Sequence, residues 1–479
     1  MASSVASRAL QTPIARTLND WVAEAQTLQD AGRFEEAERI VAQVIDSAPN
    51  FLPALHLAGI LSYKLRRPLE AIERLERAIG IAPDQAAFHR NLCEIYRTQS
   101  RLDEAIVHGR RAVELTPDDP GSHYNLGVLH YDRLEMEEAI ASNRRALALD
   151  PTMACAHFEL AEGLLTTGQF EEGWAEYEWR FELPSAPPLL PKNDRPLWDG
   201  RPMRNGTLVL IADQGFGDSI QFCRYIPEVA KLCPNLVVAG SAEMRPIIIQ
   251  QSGIAAYYDS WESIPNFDAY CPLSGLPRLF RTELATIPAT VPYVVANSEK
   301  AAKWRKRLDA IVPGDFRRIG LVWAGRSTHG NDFNRSMTLN GLSALTALED
   351  AGFISLQMGT ATEQIGYYYG RAPLINLGAE IQDFTDTMAI LDGLDCVVAV
   401  DTGVAHLAGA MGKPTFMLVP YAPDWRWLLE RSDTPWYPTV ELFRQISPGS
   451  WTEPVSALAS RLKRSSSSRG GTSIQISVK

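Results

Sequence analysis

Three short stretches carry residue types that could do chemistry. In the first, the apolar run TLVLIA leads into Gln214–Gly215–Phe216–Gly217–Asp218, and a helical pattern begins at Asp218. A carboxylate at the end of a buried strand is placed to take a proton from an attacking hydroxyl. An aspartate at a helix start is equally a common cap, so the residues alone leave cap and base both open. In the second, CVVAV runs into Asp401–Thr402–Gly403, with His406 one helical turn further on. A glycine at a helix start lets a ligand approach the backbone, and the N–H groups there favour a phosphate. The plainer account makes Asp401 and Thr402 caps and His406 a satisfied core histidine. The third, GLVWAGRSTHGNDFNRSMTL, crowds Arg326, His329, Asn331, Asp332, Asn334, Arg335 and Ser336 into one loop. Two arginines, an amide and hydroxyls suit a diphosphate, although a solvated loop would have the same composition. Gln357, ending the run FISLQ, joins Arg326, Asn331, Arg335, Asp401, Thr402, Gly403 and His406 as a donor-side candidate.

Several familiar chemistries fail on spacing. A dinucleotide fingerprint needs a third glycine where Ile220 stands, and neither glycine turn carries the Lys–Ser/Thr of a P-loop. The chain has no D-x-D triplet, H-x-x-x-H or G-x-S-x-G, so no metal ligand set or hydrolase nucleophile is evident, and no cofactor is expected. Six cysteines without paired spacing read as reduced thiols in a cytoplasmic protein. A net charge of −11 argues against nucleic acid as a partner, and no apolar run reaches signal-peptide or membrane-spanning length. The Trp-rich stretch DWRWLLERSDTPWYPTVELFRQ reads as packing, with Trp425, Trp427 and Trp436 inside.

The elements that would hold these residues alternate. TLVLIA, NLVVAG, IGLVWAG, FISLQMG, CVVAV and PTFMLVP read as buried parallel strands separated by helical stretches. They fall into two α/β sets, 205–300 and 301–460, each a Rossmann-like domain. Before them, 184–204 holds six prolines and reads as a connector, while the serine- and glycine-rich tail 461–479 is expected to be disordered.

The first third is periodic. Ala37, Ala71, Ala105 and Ala139 stand 34 residues apart, as do Pro49, Pro83, Pro117 and Pro151. Glu36, Glu70, Glu104 and Glu138 keep the same register, and so do the small residues Ala25, Gly59, Cys93, Gly127 and Ala161. Small residues let paired helices approach, proline stops the second helix, and stacked pairs bury the faces that one pair cannot. This resembles the tetratricopeptide repeat over 17–183, as four repeats and a partial fifth. Such a groove suits a peptide or protein partner.

The second half resembles the heptosyltransferase-like glycosyltransferases of GT-B fold, through GDSIQFCRYIP and VDTGVAHLAGAMGKP. Across 17–460 the chain is similar to bacterial proteins that join tetratricopeptide repeats to such a domain, some of which modify flagellins. PLWDGRP, DQGFGDSIQFCRY, DWRWLL and PWYPTVELFRQ carry that closer likeness. The resemblance implies an α-solenoid followed by two Rossmann-like domains, the first acceptor-side and the second donor-side. It implies an inverting, metal-independent glycosyltransferase acting from a nucleotide sugar, with Asp218 as base and Thr402, Gly403 and His406 at the donor phosphate. Gln214, Gly215 and Gly217 would form the acceptor-side turn, the glycines clearing room for substrate. Where heptosyltransferases carry a lysine, this loop offers Arg326 and Arg335, and the repeats point to a protein acceptor, flagellin being one. A lipopolysaccharide or lipid-linked glycan acceptor is the alternative within the same chemistry. A repeat scaffold with an inactive transferase half is the alternative outside it.

Overall fold

The computed structural model describes residues 16–184, 186, 194–260, 263–312 and 314–467. By compactness it divides into two units that meet in sequence between Pro151 and Thr152.

The first unit is a run of helix pairs: Leu18–Asp30 with Phe34–Ser47, Leu52–Lys64 with Pro68–Ile81, Ala86–Thr98 with Leu102–Leu115, and Pro120–Asp132 with Met136–Leu149. The small residues of the repeat set the spacing within each pair. A Cβ on Gly59 would lie 2.7 Å from Leu75, and one on Gly127 would lie 2.7 Å from Asn143. The turn inside each pair needs one residue in the left-handed region. Gly32 (φ 74°), Arg66 (63°), Ser100 (58°) and Leu134 (61°) fill that place at the 34-residue period. Only the first of these does so without a Cβ penalty.

The second unit opens with the fifth pair, Ala154–Thr166 and Phe170–Tyr177. The repeat register therefore runs to 183, but this pair is built into the α/β half. Trp174 explains why: it is buried, its indole N–H donates to Thr282 O at 2.9 Å, and its ring meets Trp425 edge-on at 5.1 Å.

Two parallel sheets follow. The first holds β1 (Thr207–Ile211), β2 (Asn235–Ala239), β3 (Ile254–Tyr258) and β4 (Ala269–Pro272) in the order β3-β2-β1-β4. The second holds β5 (Arg317–Val322), β6 (Ala351–Ser355), β7 (Leu374–Asn376), β8 (Cys396–Val400), β9 (Thr415–Val419) and β10 (Val440–Arg444) in the order β10-β9-β8-β5-β6-β7. The strand order reverses between β1 and β4 in one sheet and between β5 and β8 in the other. Open α/β sheets leave a crevice at such points, beyond the strand C-termini. The chain leaving β1 carries Asp218, the chain leaving β8 carries Asp401–His406, and the loop after β5 carries Arg326–Arg335.

One expectation changes, that for the tail 461–479. The connector is docked where it is described: Leu197 bridges to Tyr270 of β4, and the buried Trp198 donates its N–H to Tyr270 O at 2.8 Å. Residues 185 and 187–193 lie outside the described residues. The tail reading began too early, because the last helix runs Thr452–Ser467. Val455, Leu458, Ala459 and Leu462 are buried in the core beside β8 and β9, and that apolar stripe carries the helix past 460. Residues 468–479 of the expected tail lie outside the described residues.

The period of left-handed residues makes a prediction. Ser100 is exposed and holds φ 58°, so Ser100→Gly should stabilise the chain by about 0.5–1 kcal/mol. Chemical denaturation of wild type and variant would show it, and an equal or lower midpoint would refute it.

Candidate functional site: two glycine turns in contact

The helix Phe216–Phe222 begins on Gly215, which holds the cap position, and Asp218 stands three residues on. Asp218 is therefore not the N-cap. It reaches back instead, its Oδ2 accepting from Gly215 N–H at 3.0 Å. Its Oδ1 accepts from the Arg426 guanidinium. Gln214, just before, adopts φ 63° and accepts from the Tyr177 hydroxyl at 3.2 Å.

Arg426 is buried in the turn Trp425–Trp427 and uses its whole donor fork. Besides Asp218 it binds Asp424 through Nη1 at 2.8 and 2.9 Å and Gln221 Oε1 through Nε at 2.6 Å, with its plane 4.2 Å from the Trp425 ring. Burial opposes its charge, but Asp424 and Asp218 more than restore it. A third carboxyl, Glu162 of the fifth repeat pair, faces the same cluster. Burial and the neighbouring Asp424 and Glu159 push it well above the usual carboxylate range. Sequence reading treated the Trp-rich stretch as packing, which holds for Trp425, Trp427 and Trp436, all fully buried. It passed over Arg426 between them, and also Glu162. The sequence signals for Arg426 are a cation enclosed by tryptophans and its place in DWRWLL.

The helix Gly403–Ala410 begins on Thr402. His406 is buried, with Nδ1 2.9 Å from the Tyr437 hydroxyl and Nε2 3.5 Å from Asp401 Oδ1. Asp401 also accepts from Trp427 Nε1 at 2.9 Å. Burial alone would raise the Asp401 carboxyl, but His406, Trp427 and Arg335 outweigh it and bring it to about 2. The Thr402 hydroxyl is buried and has no hydrogen-bond partner among the described residues, and neither has Arg335 Nε. Arg335 stands 3.6 Å from Asp332, and the exposed Arg326 lies 5.6 Å from the Phe216 ring.

The two turns touch. A Cβ on Gly217 would fall 2.8 Å from His406 Cδ2, and one on Gly403 would sit 3.6 Å from Phe216 Cβ. The glycine at 217 therefore makes room for His406, not for a substrate, and a Cβ on Gly215 would meet Asp218 itself at 2.9 Å. The structure thus gathers Gln214–Asp218, Arg326, Arg335, Asp401–Gly403 and His406. The other two candidates are Asn331 and Gln357. Asn331 is exposed and caps a short helix by position only. The Gln357 amide is spent internally, its oxygen accepting from Trp323 and Ala324 N–H and its nitrogen donating to Ala324 and Met358 carbonyls, all at 3.0 Å. It pins the ends of β5 and β6 together. Among the described residues no group of histidine, cysteine and carboxylate side chains is arranged to hold a metal ion, and no helix is long and apolar enough to cross a membrane.

Residues 94–133 match the TPR repeat family, and residues 372–427 match glycosyltransferase family 9 (heptosyltransferase). The second match spans β8, the Asp401–His406 turn and Arg426. Protein FlbA of Caulobacter vibrioides is 25% identical over 332 residues, covering 63% of this chain and 53% of the relative. The chain thus spans about half the length of the curated relative it matches. Among solved structures, MamA is 20% identical over 35% of this chain and 95% of its own, with a TM-score of 0.31. A thermophilic TPR protein of Thermus thermophilus is 22% identical over 35% and 91%, with a TM-score of 0.32.

Two predictions concern the contact. Gly217→Ala should cost about 1–3 kcal/mol, because the neighbour it meets is a buried ring held on both sides; an unchanged unfolding midpoint would contradict it. Asp401 has its folded-state carboxyl below the ordinary 3.8. Its contribution, about 2 kcal/mol, is present above that value and is lost as pH falls toward 2. In an acid titration of stability, Asp401→Asn should start lower at neutral pH and fall less steeply between pH 4 and 2; parallel curves would contradict the assignment.

Proposed function

We propose that this chain, which joins tetratricopeptide repeats to a glycosyltransferase family 9 region, transfers a sugar from a nucleotide-activated donor to a protein acceptor with inversion at the anomeric carbon. The observation that carries the reading is the meeting of the Gly215–Asp218 turn, through Phe216 and Gly217, with the Thr402–His406 turn. These residues lie far apart in sequence, at the switch points of separate sheets, and the second lies within the family match.

An ionised carboxylate has about four lone-pair sites. Gly215 and Arg426 take one on each Asp218 oxygen, so each oxygen keeps a site for the proton of an acceptor hydroxyl. As that proton moves to Asp218, the hydroxyl oxygen bonds to the anomeric carbon. The bond from that carbon to the nucleotide phosphate breaks, and its electron pair leaves on the phosphate oxygen. The charge that gathers there would be met by the helix start at Gly403, the unpartnered Thr402 hydroxyl, and Arg335 and Arg326. In this scheme the arginines do the work a divalent cation does in other transferases. Arg426 fixes the direction of Asp218 and acts as a positioning residue. The repeats supply the reason to favour a protein acceptor, and flagellin is the first to test.

Asp218→Asn is the decisive variant, since Arg426 retains its paired bonds to Asp424. Transfer should fall by about 10²-fold or more, with the donor still raising the melting temperature. Activity near wild type in this variant would refute the base. Transfer by the wild type should persist in EDTA, and full loss restored by Mg²⁺ would refute the metal-free scheme.

A further inference from the structure

A cavity of about 640 Å³ opens beside the Gln214 turn. One wall is the C-terminal end of the first sheet, with Ile211 of β1, Ala239 of β2 and Tyr258 of β3. The facing wall belongs to the fifth repeat pair and the turn after it, with Phe158, Tyr177 and Phe181. Its charged neighbours are already committed. Arg180 donates to Ser274 Oγ at 2.6 Å, to Tyr177 O at 2.7 Å and to Glu178 at 3.0 Å. Asp213 accepts from Ser274 N–H at 3.1 Å and from its hydroxyl, and Asp259 pairs with Arg245 at 3.0 Å. With its one cation among the described residues occupied and two carboxylates beside it, the cavity does not suit a nucleotide diphosphate. Aromatic walls with a polar rim of Gln214 and Ser241 suit a peptide, whose backbone seeks hydrogen bonds while one side chain seeks apolar surface. A lipid tail would leave that rim unmatched.

Gln214 lines this cavity, and Asp218 follows four residues later on the same turn. Tyr177, on the opposite wall, feels the charges of both Arg426 and Asp218. An extended chain advances about 3.3 Å per residue. We propose that this cavity takes an aromatic or large aliphatic side chain of the acceptor polypeptide, lying within about three residues of the hydroxyl that Asp218 deprotonates. The fifth repeat pair would then read the acceptor sequence directly. This rests on the transferase reading given above and names its acceptor-side specificity.

The test uses full-length Asp218→Asn protein without donor, so that binding is read apart from turnover. The probes are fluorescein-labelled peptides with a central serine or threonine, each flanking position carrying Phe, Leu, Lys or Asp in turn. Anisotropy should show one flanking position, within three residues of the hydroxyl, where Phe or Leu binds at least about tenfold tighter than Lys or Asp. Ser241→Trp should abolish that preference by filling the mouth; Ser241 is exposed, so the variant should keep a cooperative unfolding transition. Phe181→Ala, on the opposite wall, should weaken the same preference. Peptide binding with no flanking preference would overturn the proposal, as would a preference that survives Ser241→Trp. So would displacement by decyl maltoside of peptides that bind without preference, the mark of a glycolipid site. Selective peptide binding alongside a wild type that transfers no sugar would leave this site standing and sink the transferase reading alone.

Discussion

The α/β half of the molecule depends on one close approach. The helix that follows β1 and the helix that follows β8 meet at their N-terminal ends, and they can meet because residue 217 has no side chain. Into that space His406 inserts its ring edge, 2.8 Å from where a Cβ would be. On one side of the contact Asp218 is clamped by Arg426. On the other, Asp401 is tied to Trp427, whose neighbour in sequence is Arg426. The two carboxylates are thus oriented by adjacent residues of one short turn. Displacing that turn would disturb both together, so the carboxylate that follows β1 and the carboxylate that follows β8 share a support.

The buried charge in this support is arranged with little slack. Arg426 has no solvent to fall back on, and its fork is matched by two carboxylates and an amide. Breaking one member of such a set usually costs more than the set contributes as a whole, because a buried charge is left without its partner. Glu162 brings a further carboxyl to the cluster from the repeat side, carried well above its ordinary range. The array's last helix pair thereby contributes electrostatics to the α/β half as well as packing.

Much of this was legible in the amino-acid sequence, for reasons that differ by element. The repeat was plain because its small residues and prolines recur at a fixed period, and helix packing demands both. Six strands announced themselves as continuous apolar runs. The other four did not: β7 has only three residues, β3 is half-exposed, β4 ends on a proline, and β10 alternates Val440, Leu442 and Phe443 with Glu441 and Arg444. Of the site, the two glycine turns were visible because strand, glycine and helix signals follow one another locally. The roles of particular residues were less so. That Gly217 accommodates a histidine 189 positions away depends on how two sheets face each other, which no local pattern records. Gln357 had the right chemistry at the right strand end, yet its amide is consumed by backbone groups around it. Arg426 was hidden among tryptophans correctly read as core.

Trp174 has an implication for how such chains are assembled over generations. It anchors the fifth helix pair to Thr282 and to Trp425, so the last tetratricopeptide unit belongs, physically, to the domain that follows it. A join at Pro151 keeps that indole with the α/β half. A join at Leu183, where the repeat pattern itself ends, would remove an indole from the core of the half it was meant to preserve. The boundary that packing draws through the chain is therefore displaced by one repeat from the boundary written in its periodicity.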